Sequence, residues 1–194
     1  MRVFRRQDDR GAANLMIIPA IMGLLIVTLL VIRNIGSATD DSRQARTAAD
    51  AAALAAAKVW SDNMERDFDA ATGAGEGDDV SVSSFRGSQM SSYLTGAAAA
   101  ASAYAAANNA YLVGAPQFDT TTGTVTVTVR NTDTVPDTGQ RMEHSATAQV
   151  KFPPTSGACV TRGTLGYRTG RLCDTSEDGG LPDAPYRADI ELVR

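Results

Sequence analysis

Residues 12–32 read AANLMIIPAIMGLLIVTLLVI and contain no charged side chain. At 1.5 Å rise per residue such a run extends roughly 30 Å as a helix, the thickness of a bilayer's hydrocarbon. A helix of a water-soluble core carries a polar stripe, whereas here only Asn14 and Thr28 are polar. The run therefore predicts a transmembrane helix over 12–32, in which Pro19 is tolerated better than in a soluble helix. Arg2, Arg5, Arg6 and Arg10 precede it, while Asp40 and Asp41 follow soon after Arg33. Basic residues stay on the cytoplasmic side, so 1–11 reads as a cytoplasmic basic leader and everything after residue 33 as extracytoplasmic. The competing reading is a secretory signal peptide cut after Ala38, where Gly36, Ser37 and Ala38 supply small residues. The length of the apolar run, and Arg33 standing before the site, weigh against it.

Charge and composition exclude several classes of function. A formal charge of −4 and a pI near 5.0 do not suit a nucleic-acid surface, which displaces counterions with clustered Lys and Arg. Hydrophobic residues make up 43% of the chain but aromatic ones only 6%, because most of the apolar count is alanine in two tracts. The core is accordingly expected to be modest. Cys159 and Cys173 stand close together in the part assigned outside the cytoplasm, which predicts a disulfide contributing about 3 kcal/mol. His144, the only histidine, lies in a polar stretch with no nucleophile or orienting partner in evident reach. Asp174, Ser176 and Asp178 before Gly179 resemble the start of a calcium loop, but Pro185 occupies the twelfth place, where a bidentate Glu belongs. The expectation is a chain with no catalytic site, cofactor or metal.

Beyond the apolar run, 37–71 holds neither Gly nor Pro and is dominated by alanine, the strongest helix former. A stem helix is predicted over 33–71, with a bend at Gly36. Ala45, Ala48, Ala49, Ala52, Ala53 and Ala56 would form its packing face, since small side chains let helices approach closely. Arg46 and Asp50 are placed to pair along one side. A plain alanine-rich surface helix is the alternative. Residues 72–79 read as a glycine-acid linker and 80–85 as a short strand. A second helix is expected over 88–111, with Tyr93, Tyr104 and Tyr111 on one side and Asn108 and Asn109 at its end. The period then changes to two. Residues 117–119, 124–130 and 145–152 read as strands ended by Pro153 and Pro154, and 186–193 as a last strand. The predicted class is α+β: two alanine-rich helices on a small antiparallel sheet, with 72–194 forming an extracytoplasmic head.

Arg10 and Gly11 before the apolar run, RQARTAADAAALAAA at 43–57 and YAAANN at 104–109 together resemble the TadE/TadG-like proteins of Tad/Flp pilus assembly. The resemblance is specific over the first 60 or so residues and loose beyond them. It implies a pilin-like fold and a minor pilin, pseudopilin-like component or assembly factor of a pilus or secretion apparatus. Its partners would be other pilins or assembly-platform proteins, in a homo- or hetero-oligomer. It also implies a leader peptidase cut between Gly11 and Ala12. Pilins commonly carry Glu five residues after that cut, and Met16 stands there instead. The other functional class compatible with the sequence is a monomeric, membrane-anchored ectodomain that binds a ligand or an envelope partner.

Overall fold

The computed structural model describes residues 10–73, 85–135, 139–176, 182 and 184–193, without the side chains of 10–20 and 30–39. One helix, α1 (Arg10–Gly73), runs for 64 residues, roughly 95 Å at helical rise. It continues without a break in its helical assignment through Pro19 and Gly36. Its second half is the spine of the head. Ala48, Ala49, Ala52, Ala53, Ala56, Ala57, Trp60, Met64 and Phe68 recur at three- and four-residue spacing and are all buried. That stripe is too wide for one contact surface, and two elements share it: a second helix and a sheet.

The second helix, α2 (Ala97–Ala107), is shorter than the sequence suggests. A 3-10 turn at Met90–Tyr93 precedes it, and Gly96 (φ +81°) breaks the helical path between them. The three tyrosines therefore do not share a helix side: Tyr93 is buried in the turn, Tyr104 is exposed on α2 and Tyr111 lies on a strand. Asn109 at φ +54° ends α2 in the left-handed conformation that asparagine tolerates. Ala97, Ala101 and Ala105 face α1, alanine against alanine.

The main sheet contains β1 (Ala110–Leu112), β2 (Gln117–Asp119), β3 (Thr124–Asn131), β4 (Glu143–Lys151) and β8 (Asp189–Val193), all antiparallel. Its order is β1-β3-β4-β8, with β2 also lying along β3. Alternation decides its faces. Val125, Val127 and Val129 of β3 and Ala146, Ala148 and Val150 of β4 point to α1, while the threonines point outward. There Thr126 bonds Thr147 (2.8 Å), Thr128 bonds Ser145 (2.7 Å), and Arg130 pairs with Glu143 (2.7 Å).

The cysteine loop is a second sheet of β5 (Ala158–Thr161), β6 (Thr164–Thr169) and β7 (Leu172–Asp174). Arg162 and Gly163, both at positive φ, form the two-residue turn that matches the strand twist. A Cβ on Gly166 would meet the carbonyl oxygen of Asp174 at 2.4 Å, so β7 folds over β6 only because residue 166 lacks a side chain. That fold brings the Cα atoms of Cys159 and Cys173 to 5.7 Å, and the expected disulfide forms.

Candidate functional site

The feature that sets this chain apart is the division of α1 into two environments. In the second half Trp60 donates its indole N–H to the Met90 carbonyl (2.9 Å) and meets Phe118 edge-on at 5.6 Å. Asn63 donates to the carbonyls of Tyr93 and Thr95, tying α1 to the segment before α2. At the other end Asn131, itself buried, donates to the Asp41 carbonyl (2.9 Å), and Ala45 is the first fully enclosed residue. Residues 21–29, earlier in the helix, are exposed throughout. All the large apolar side chains from 21 to 29 are 52–68% exposed. Left so in water, each forgoes on the order of 1–2 kcal/mol of burial. Among the described residues no helix is long and apolar enough to cross a membrane. Of the predicted span only 21–29 have described side chains, and 12–20 and 30–32 lie outside them.

Ala45, Ala48, Ala49, Ala52, Ala53 and Ala56 lie buried under the head of the same chain. All six are at most 1% exposed beneath the head's own elements. The stem alanines from Ala48 onward belong to one core cluster with the residues of the sheet and the second helix. Arg46 and Asp50 do not pair; among the described residues neither has a hydrogen-bond or ion-pair partner, and both line one cleft with His144. Residues 1–9 of the expected leader and the side chains of Gly11 and Ala12 lie outside the described residues, as do 80–84 of the expected strand at 80–85.

Little at the head supports catalysis or metal binding. The clefts between described residues hold about 310–470 Å³ and bring no nucleophile to a base. His144 sits half-buried on the inner face of β4. Asp174 accepts the backbone N–H (2.9 Å) and hydroxyl (2.6 Å) of Ser176, which together hold its carboxyl below the ordinary range. Its acceptor capacity is turned on its own turn, and no metal-binding cluster occurs among the described residues, with Asp178 outside them. Asp119 is held low in a parallel way at the β2–β3 turn, first by the Thr122 side chain and then by the backbone N–H groups of Thr121 and Thr122. Burial pushes the phenol of Tyr93 up to about 12, and that of Tyr186, which bonds Ser61, higher still. The guanidinium of Arg141, first among its causes, draws the Tyr111 phenol down.

Sequence reasoning missed the second sheet. Its signal was present as two tight-turn pairs, Arg162 with Gly163 and Gly170 with Arg171, between short apolar runs.

Residues 11–59, about a quarter of the chain, match the Flp pilus-assembly TadE/G-like family. The N-terminal segment is thus TadE/G-like, as the motifs around Gly11 and at 43–57 implied. No curated protein and no solved structure matches the chain.

Proposed function

We propose that this chain, TadE/G-like over 11–59, is a structural component or assembly factor of a Tad/Flp-type pilus or secretion apparatus, minor pilin or pseudopilin-like in form. One observation carries the reading: a single unbroken helix joins an exposed apolar stretch to a self-contained head. The bilayer, or the apolar helices of neighbouring subunits, covers 12–32, and the head stands outside the cytoplasm within a few helical turns of that surface. Its partners are other pilus proteins. The disulfide, closed in the head, suits an oxidising compartment. The family match begins at Gly11, which supports a leader peptidase cut before Ala12. Met16 leaves the new N-terminal amine without the carboxylate partner of an ordinary pilin. Such a subunit would cap, initiate or anchor a fibre rather than form its bulk.

The burial of the stem alanines favours keeping the monomeric anchored ectodomain as a second reading, since the head completes its own core without a neighbour. Cysteines at the outward positions Arg43 and Thr47 distinguish the two. Specific adducts between copies or with a pilus protein support assembly; their absence in intact membranes supports the ectodomain. The first test of the main reading is the N-terminus of the chain purified from its native membrane. A start at Ala12 supports peptidase processing, and Met1 supports a permanently anchored factor. A start at Thr39 in the medium overturns the anchor.

A further inference from the structure

We propose that the cleft where the two sheets meet binds a partner-protein segment that carries an apolar side chain and a single carboxylate on one face. The cleft follows from how β4 ends. Pro153 and Pro154 have no N–H to extend the ladder, so the chain turns there from the main sheet into the second one. The turn is tightly held. A Cβ on Gly157 would meet the Ala184 carbonyl oxygen at 1.8 Å, and the Gly157 N–H donates to Pro185 O (2.8 Å). Ser156 is fully buried, its hydroxyl accepting the N–H groups of Ala158 (3.1 Å) and Arg187 (3.0 Å). Between the sheets lies a cleft of about 470 Å³, within the range of small-ligand sites. Phe152, Pro153, Pro154 and Val160 supply its apolar wall, and Tyr186 braces the Phe152 ring edge-on at 5.7 Å.

Arg168 sets the polar requirement. Its backbone N–H donates to Gly157 O (2.7 Å) and its Nε to Ser156 O (3.1 Å), which fixes the guanidinium against the turn. The two terminal nitrogens have no partner among the described residues, and together they form the fork that takes a carboxylate through two parallel bonds. A fork held in place beforehand loses less freedom on binding than a loose side chain. Charge decides the class of anion. Lys151 also lines the cleft, but its pairing with Glu191 leaves it little attraction to offer. Asp189 lines it too and has no ion-pair partner among the described residues. A free cation beside a free anion accepts one negative charge and repels a second, which favours a carboxylate over a phosphate or a polyanion. An apolar side chain two positions from the acid shares its face of an extended segment at about 6.8 Å, so one segment meets wall and fork together. Position favours a protein partner. β3, eight residues or roughly 25 Å long, separates the Thr122 corner of the cleft from Asn131, where α1 enters the head. The cleft thus lies at the end of the head remote from the stem.

This inference does not depend on the membrane reading. Its test titrates the isotope-labelled full-length chain in detergent micelles with acetyl-Leu-Ala-Glu-amide and follows the backbone amide shifts. Saturable shifts centred on Lys151, Phe152, Val160 and Arg168 are expected at about millimolar peptide. Acetyl-Leu-Ala-Gln-amide, which lacks the charge, and acetyl-Gly-Ala-Glu-amide, which lacks the apolar side chain, are each expected to bind at least about fivefold more weakly. Arg168→Gln is expected to erase the preference for Glu over Gln. Should that variant fail to fold, the three peptides on the unaltered chain decide alone. Equal binding by the first peptide and either counterpart, or no saturable shift up to about 10 mM, overturns the proposal. So does inorganic phosphate that produces the same shifts at the same concentration, or a response centred on Arg130 and Arg141 instead.

Discussion

The two halves of α1 have similar local chemistry and opposite surroundings. Both are apolar and helical, but 21–29 is built from Leu, Ile, Val and Met, whereas 45–57 is mostly alanine. Large aliphatic side chains all around a helix suit a surrounding that is itself apolar and fluid. Alanine suits a helix hemmed in by rigid protein, where backbones must come close and no long side chain fits. Side-chain size, rather than hydrophobicity, tells the two environments apart. The helix changes from one to the other between 29 and Ala45, at the place where Asn131 holds the Asp41 carbonyl.

The largest expected effect tests that division directly. Trp60→Ala removes a buried ring, its bond to Met90 and its contact with Phe118, and is expected to destabilise the head by about 3–5 kcal/mol. Leu24→Ala, at a position 68% exposed, is expected to leave head stability within about 0.5 kcal/mol. Urea unfolding of the full chain in detergent, followed by near-ultraviolet circular dichroism, reads both. Comparable losses would mean that the two halves are coupled and the division is false.

Next comes the disulfide. Replacing Cys159 and Cys173 together by Ala opens a loop of sequence separation 14 and is expected to cost about 3 kcal/mol. Amide exchange is expected to accelerate first in β5, β6 and β7, which belong to a separate sheet, and last in β3 and β4. Uniform acceleration would show that the two sheets open as one unit. Third is the alanine contact: Ala101→Leu forces a larger side chain between α1 and α2 and is expected to cost about 1–3 kcal/mol. Ala99→Leu, on the exposed face of the same helix, is the control and is expected to be near neutral. If both are neutral, the helices are not in close contact and size is not what separates the halves of α1.

The sequence made the periodic elements plain. The alternation in 124–130 and 145–152 predicted β3 and β4 to within two residues, because each strand has one buried face and one wet one. Alanine does not carry such information. It is equally at home against lipid, solvent or another helix, so the 37–71 tract shows a helix but not its partner. The second helix was overextended for a related reason. Its start depends on Gly96 at positive φ, and its end on a strand beginning at Ala110, neither of which alters the alanine pattern. The cleft residues were half legible. Arg46 and Asp50 stood out by their spacing, but only the packing of β4 shows that they line a cleft with His144 rather than pair with each other.

Alkaline pH sharpens the comparison from the chemistry of the buried half. The Tyr93 phenol is raised from 10.0 to about 12, with burial the largest cause. Below pH 10 it is protonated in the folded and the unfolded chain alike, and its contribution is intact. Above that the unfolded chain loses the proton first, so stability falls as the pH climbs from about 10 to about 12. Tyr167 and Tyr186 are raised too and act in the same direction. Tyr93→Phe is therefore expected to make the decline shallower without abolishing it, as read by urea midpoints at stepped pH. An unchanged slope would mean that the phenol is not withdrawn from water.

The smallest effect lies on the outward flank of the same buried half. Lys58 and Asp62 form an ion pair one turn apart on α1, with side chains 62% and 39% exposed. Water screens both charges, and holding two long side chains in one geometry costs entropy, so such a pair contributes at most about 0.5 kcal/mol. Lys58→Ala also places the better helix former there, which offsets part of the loss. The urea midpoint is expected to move little, and less at high salt than at low. A loss above about 1 kcal/mol would show that the flank bearing Lys58 is covered in the assembled protein. The second half of α1 would then contribute an outer contact as well as the core of its own head.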